Sequence, residues 1–150
     1  MKRRAAIAEL ACDRGTRLCS GMKCTHVALQ VRDADRSIAF YRRYCGMQVV
    51  HERVSNGKRV VWLGWGEDPP HFVIVLLEEP YEVNTQPPWQ HIGMAVDDRG
   101  EVDRIHALAL GDGLAGLWPP VDAGPIVGYY CGIPDPDGNM VEFSHGQRIG

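Results

Sequence analysis

One short segment occurs twice, and that repetition constrains the fold more than any other feature of the chain. THVALQV at 25–31 lies over QHIGMAV at 90–96, so His26 and His91 occupy corresponding positions. Both copies alternate apolar and small or polar residues, the signature of a strand with one packed face. A helical pattern follows each copy. The first runs from about Asp33 to Cys45, with Ile38, Tyr41 and Cys45 at helical spacing, Asp33 as N-cap and Gly46 as the stop. The second runs from about Asp98 to Leu110, with Val102, Ile105 and Leu108/Ala109 as its buried stripe. Asp98 and Glu101 have capping-box spacing, with Asp in place of Ser or Thr.

Strands are expected after the first helix at 47–54, 58–65 and 72–79, separated by SNG and EDPP turns. After the second helix, GDGLAG and PP read as loop. Strands follow at about 126–133 and 139–145, joined by the PDPDG turn at 134–138. FVIVLL in the first half corresponds to NMVEFS in the second, and internal duplication is the simplest account. The reading is an α+β chain of two paired βαβββ modules, forming a curved mixed sheet around a shared cleft. Residues 22–80 make the first module, 81–88 a proline-bearing connector and 89–150 the second module, with 1–21 an extension.

The 150 residues suffice for one domain or two small modules sharing a core. The net charge of −3 comes without any basic stripe, which argues against a nucleic-acid partner. No apolar run approaches the roughly 20 residues of a membrane helix. The five cysteines are odd in number and include no CxxC pair, which argues against a disulfide framework and against a cysteine zinc site. Free thiols in a reducing compartment fit better, and a cytoplasmic location is expected. The basic start followed by AAIAELAC superficially resembles a secretion signal. Glu9 interrupts the apolar run, however, and no clean small-residue cleavage site follows, so it reads as a loosely attached extension.

Strand faces select the chemistry. If Val27, Leu29 and Val31 pack against a helix, then His26 and Ala28 face inward. If Ile92, Met94 and Val96 pack likewise, His91, Gly93 and Ala95 face inward. On the last strand, Val141 and Phe143 pack outward and leave Met140, Glu142 and Ser144 inward. Two imidazoles and one carboxylate suit a divalent transition metal with positions left open for water or substrate. His26, His91 and Glu142 are therefore the expected metal ligands. His51, His71, His106 and His145 lack such matching and read as surface or cleft-edge residues.

The stretches THVALQVRDADRSIAFYRRYCGMQ, QHIGMAV and PDPDGNMVEFSHGQ closely resemble the vicinal oxygen chelate superfamily, the glyoxalase, bleomycin-resistance and extradiol-dioxygenase group. The resemblance covers about residues 23–147. It implies two βαβββ modules around a metal on which a substrate with two neighbouring oxygens, or an enediolate, is held. It also implies ligands on the first and last strand of each module. Three of these positions fall at His26, His91 and Glu142, and the fourth falls at Val75. Lactoylglutathione lyases have a carboxylate there, so Val75 weakens that assignment. In ring-cleaving dioxygenases a tyrosine precedes the terminal Glu, and the matching position here is Gly132. The basic cluster of fosfomycin-resistance enzymes is not evident in the second half.

The expected function is a metal-dependent enzyme, either a glyoxalase-like isomerase or lyase or a ring-cleaving dioxygenase, using Fe, Mn, Zn or Ni and a small substrate with adjacent oxygens. Tyr129, Tyr130 and Glu78 are candidates for moving a proton; Glu78 needs a register shift to point inward. Trp62, Val75 and Trp89 are candidate substrate-binding residues. The alternative is a small-molecule or antibiotic-binding resistance protein without catalysis. Family members often complete their clefts across a homodimer, so a dimer is expected, and pairing within or between chains stays open.

Overall fold

Alternating burial is the clearest imprint of the sequence on the fold. In the computed structural model, which describes residues 23–80 and 90–148, strand β1 (His26–Val31) turns Val27, Leu29 and Val31 into the protein and leaves His26, Ala28 and Gln30 exposed. Helix α1 (Ala34–Cys45) follows, capped by the Asp33 carboxylate, which accepts from Arg36 N at 3.1 Å. It stops at Gly46, whose φ of +63° suits a residue without a side chain. Strands β2 (Gln48–Ser55), β3 (Lys58–Gly64) and β4 (Val73–Glu78) complete the first unit.

The second unit repeats the plan: β5 (His91–Ala95), α2 (Arg99–Gly111), β6 (Trp118–Asp122), a short α3 (Gly124–Val127), β7 (Tyr129–Pro134) and β8 (Met140–His145). Asp98 caps α2 by accepting from Glu101 N at 2.9 Å. The strand orders are β1-β4-β3-β2 and β5-β8-β7-β6, with the first pair of each sheet parallel and the others antiparallel. These two four-stranded mixed sheets, each with a helix on one face, are the duplicated βαβββ architecture read from the repeat.

The segment after α2 departs from expectation. WPPVD, read as loop, is a strand, and the strand expected from residue 126 begins at Tyr129, behind the short α3. Two prolines fit because β6 is the outer strand of its sheet, where missing N–H donors break no ladder. The register also slips between Trp118 and Val121. The expected extension at 1–21, the connector at 81–88 and Trp89 lie outside the described residues.

The larger apolar core joins both units on the helix-bearing sides of the sheets, with Val31, Ile38, Tyr41, Leu63 and Ile74 from the first unit and Met94, Val102, Ile105, Ile133 and Phe143 from the second; a smaller cluster of Val60, Val73 and Val75 lies on the His26 face. The β7–β8 turn clasps the first unit to the second. Asp135 and Asp137 are 5% and 2% exposed. Asp135 accepts from the Tyr41 hydroxyl at 3.0 Å, and Asp137 from Arg32 Nε at 2.9 Å and the Ser37 hydroxyl at 3.3 Å. Arg43 and Tyr44, near the end of α1, both bond Asp112 just beyond α2. The units are thus joined through their helix sides, and the opposite, histidine-bearing faces do not close on one another within the chain. No helix among the described residues is long and apolar enough to cross a membrane.

Candidate metal centre divided between two faces

Parallel pairing of β5 with β8 aligns His91 with Met140 and Gly93 with Glu142. Odd residues of β5 and even residues of β8 therefore share the face away from α2. On that face His91 Nε2 stands 3.5 Å from Glu142 Oε2. This is longer than an ordinary N–H···O hydrogen bond. It matches the separation of about 3.4 Å expected of two donors, each roughly 2.1 Å from one tetrahedral ion. Glu142 is 4% exposed. Its Oε1 accepts from Gln147 Nε2 at 3.4 Å, and Gln147 also accepts from the Ser144 hydroxyl at 3.4 Å. A buried carboxylate aimed at an imidazole on the same face fits a divalent cation.

His26 belongs to the other sheet. Its ring Nδ1 lies 3.1 Å from the Thr25 hydroxyl, and it borders a cavity of about 320 Å³ together with Ala28, Arg53, Trp62 and Val75. Among the described residues no three His, Cys, Asp or Glu side chains converge on one point. The chain thus brings His91 and Glu142 together and leaves His26 on a separate open face. The set fits a metal only if the two kinds of face meet.

The other candidates divide by the same alternation. Trp62 and Val75 are paired across β3 and β4 and share the cavity of His26; Val75 pairs with Ala28 on its other side. Glu78 lies on the opposite face, with Val31. Its carboxylate accepts from Ala34 N at 2.9 Å at the start of α1, where an acidic group also complements the helix dipole. The register that brings Val75 beside His26 turns Glu78 away, so Glu78 serves the helix and not the cavity. Tyr129 likewise faces α2. Its hydroxyl donates to Asp103 at 2.6 Å and Arg99 stands 4.2 Å from its ring centroid. The Asp103 carboxylate holds the phenol above its ordinary value, the wrong direction for a base. Tyr130 pairs with Ser144 and shares the face of Glu142.

Trp118 escapes the sequence reading because WPPVD resembles a loop. It pairs with Gly132, which pairs in turn with Glu142. The Trp118 ring meets His91 edge-on at a centroid distance of 5.6 Å and Tyr130 at 6.5 Å. A Cβ on Gly132 would stand 2.6 Å from Trp118 Cε3. The position that resembles a catalytic tyrosine site is thus covered by indole and admits no side chain. His51, read as a surface or cleft-edge residue, packs its ring 4.9 Å from that of Trp62, and Arg53 reaches the cavity of His26. The duplicated βαβββ plan is the available signal for Trp118, since it requires a strand between α2 and β7.

Residues 23–143 match the sequence profile of the glyoxalase/bleomycin resistance protein/dioxygenase superfamily. An uncharacterized protein of Pseudomonas aeruginosa is 40% identical over 84% of this chain and 90% of its own length. A probable lactoylglutathione lyase of Vibrio parahaemolyticus is 30% identical over 83% of this chain and 91% of its own. Among solved structures, the trypanothione-dependent glyoxalase I of Leishmania major superposes with a TM-score of 0.64 at 25% identity, covering 83% of this chain and 87% of that one. A glutamate-to-glutamine mutant of the fosfomycin resistance protein FosX of Listeria monocytogenes, complexed with Mn(II) and 1S,2S-dihydroxypropylphosphonic acid, superposes with a TM-score of 0.67 at 15% identity. That pair covers 85% of this chain and 94% of the other, and the likeness is one of fold. With its repeat, its two sheets and these relatives taken together, the chain belongs to the glyoxalase/bleomycin resistance protein/dioxygenase superfamily.

Proposed function

We propose that the protein is a metal-dependent enzyme of the vicinal oxygen chelate type, an isomerase or lyase acting on a small substrate with adjacent oxygens, and that its site is built between two copies of the chain. The observation that carries this reading is the 3.5 Å approach of His91 to buried Glu142 on one face, while His26 stands on the face of the other sheet. In a two-fold homodimer, the His26 face of one subunit covers the His91–Glu142 face of the other, and symmetry makes two such sites. His26, His91 and Glu142 would hold a divalent ion such as Fe, Mn, Zn or Ni. When bound, that ion supplies Lewis-acid stabilisation of negative charge on a substrate oxygen.

The chain's own residues supply the rest. Gln147 orients the Glu142 carboxylate by donating to Oε1. Trp118, edge-on to His91, helps to fix the imidazole plane and narrows the approach to it. Trp62 and Val75 give the His26 side an apolar wall that excludes water from the substrate. Tyr130 carries a phenol hydroxyl on the Glu142 face that can hold or move a proton. The indole over Gly132 supports the isomerase or lyase branch over ring cleavage, since no side chain fits where the dioxygenase tyrosine would stand. Val75 beside His26 argues against the methylglyoxal–glutathione adduct as substrate, because the fourth carboxylate is missing.

Elemental analysis of protein purified without chelator tests the reading, with His26→Ala and Glu142→Ala alongside. Wild type should carry metal and each variant should lose it. Mixing the two variants after unfolding and refolding should restore metal to part of the sample. A mixed dimer has one site with both lesions and one with neither. Wild type without stoichiometric metal under several metal supplements would refute the enzyme reading and leave the small-molecule binding protein. Metal in wild type that mixing fails to restore would refute the shared site.

A further inference from the structure

Arg53 is an unusual arginine for this chain. Arg32, Arg43, Arg59, Arg99 and Arg104 each pair with a carboxylate at the surface or at the clasp. Arg36, Arg42, Arg53 and Arg148 have no carboxylate ion pair among the described residues, and of these Arg53 is the one that lines the cavity that His26 borders. Among the described residues no Asp or Glu lines that cavity. Its walls are Val73, Val75, Pro70 and the Trp62 indole. A guanidinium beside apolar walls attracts an anion more strongly than one in open water, and its planar fork matches a carboxylate with two parallel hydrogen bonds.

Position within the sheet sets the shape of the ligand. His26 is on β1 and Arg53 on β2, the two outer strands of the sheet, and Val75 and Trp62 on β4 and β3 make the floor between them. An anion held by Arg53 is therefore at the end of the ligand remote from His26. The cavity, about 320 Å³, is near the lower limit of small-molecule sites, roughly 300–1,000 Å³. Val75 has a second consequence here. A carboxylate at that position, on the floor of the same cavity, would compete for the guanidinium; valine leaves Arg53 to the ligand.

We propose that Arg53 is a specificity-determining residue that binds a carboxylate at one end of a small, flat, apolar-bodied substrate, whose neighbouring oxygens lie at the other end toward His26. This rests on the reading that the His26 face is half of the metal site.

The test uses 3,4-dihydroxybenzoate and its methyl ester, which share a ring and adjacent oxygens and differ in the charge at the far end. Binding to the zinc-loaded full chain is followed by tryptophan fluorescence or calorimetry. Wild type should prefer the acid by about tenfold to a hundredfold, the range for a charge-assisted pair. Arg53→Gln should abolish that preference while leaving the ester's affinity in place, and Arg53→Lys should keep part of it. An acid-to-ester ratio near one in wild type, or a ratio unchanged in Arg53→Gln, would overturn the proposal. Arg53 is exposed on an outer strand, so its substitution leaves the core intact. The ratio reports on Arg53, whereas metal content and the ester's affinity in Glu142→Ala report on the metal site. The two readings therefore fail separately.

Discussion

Replacing Gly132 with alanine adds one methyl group, and the structure gives that methyl no room. Its Cβ would lie 2.6 and 2.8 Å from Trp118 Cε3 and Cδ2, and 3.0 Å from Met140 Sδ. Comfortable carbon–carbon contact is about 3.5–4.0 Å, so the indole must retreat by roughly 1 Å. Met140 is flexible and gives way cheaply. Trp118 does not, because its backbone is paired with that of Gly132 itself and its ring meets His91 edge-on. Overpacking of this kind costs about 1–3 kcal/mol, and a disturbed aromatic pair adds roughly 0.5–1.5 kcal/mol. We expect a net loss of about 2 kcal/mol, or roughly 4–8 °C in Tm for a chain of this size. The internal control is Gly93→Ala on the same face, where an added Cβ meets nothing within 4 Å and stability should hold. Urea unfolding gives the energies, and near-UV circular dichroism reports the indole environment. If Gly132→Ala unfolds within about 0.5 kcal/mol of wild type with an unchanged near-UV spectrum, overpacking against a fixed Trp118 is the wrong account.

Two further outcomes concern the clasp between the units. Tyr41→Phe removes a buried hydroxyl that donates to Asp135 at 3.0 Å, and should cost about 1.5–3 kcal/mol in urea unfolding, as for bonds to charged groups. Burial pushes the Asp135 carboxyl up, and hydrogen bonds from Asn139, Asp137 N and Tyr41 offset part of the rise. A carboxyl raised in the folded state favours folding most when protonated. Its contribution is fully present below its unfolded value and is lost as pH rises through its folded value. Wild type should therefore gain stability relative to Asp135→Asn as pH falls toward ~4. A gap between the two that is flat or shrinks on acidification contradicts this.

The strand faces are readable because period-2 alternation is a local property of β1, β5 and β8: once Val27, Leu29 and Val31 are assigned to the core, His26 must point the other way. The helix caps Asp33 and Asp98 are readable for the same reason, since each acts within three residues. Trp118 is not, because two prolines in WPPVD mimic a loop and only the outer position of β6 makes them tolerable. Arg53 is illegible as a cavity residue. Its place beside His26 depends on strands distant in sequence lying side by side in one sheet. The separation of His26 from His91 depends on which faces of the two sheets join, a choice made by contacts between the units and not within either.

Part of those contacts runs through PDPDG, which has two consequences for the site. In the sequence it marks the approach to the Glu142 strand. In the fold its Asp135 and Asp137 reach back to Arg32, Ser37 and Tyr41 at the start and middle of α1. Helix α1 packs on the inner side of the first sheet, so fastening the turn to that helix draws the helix-bearing sides together into one core. The histidine-bearing faces are then left on the outside of that union. Within the second unit, the same turn sets the β7–β8 register in which Gly132 faces Glu142. A chain clasped in this way holds His91 and Glu142 together on one sheet and keeps His26 on the other. The three-ligand site proposed above would then need the His26 face of a second copy. The hydrogen bonds of this one motif thus bear both on the strand that carries buried Glu142 and on the proposed pairing of two copies.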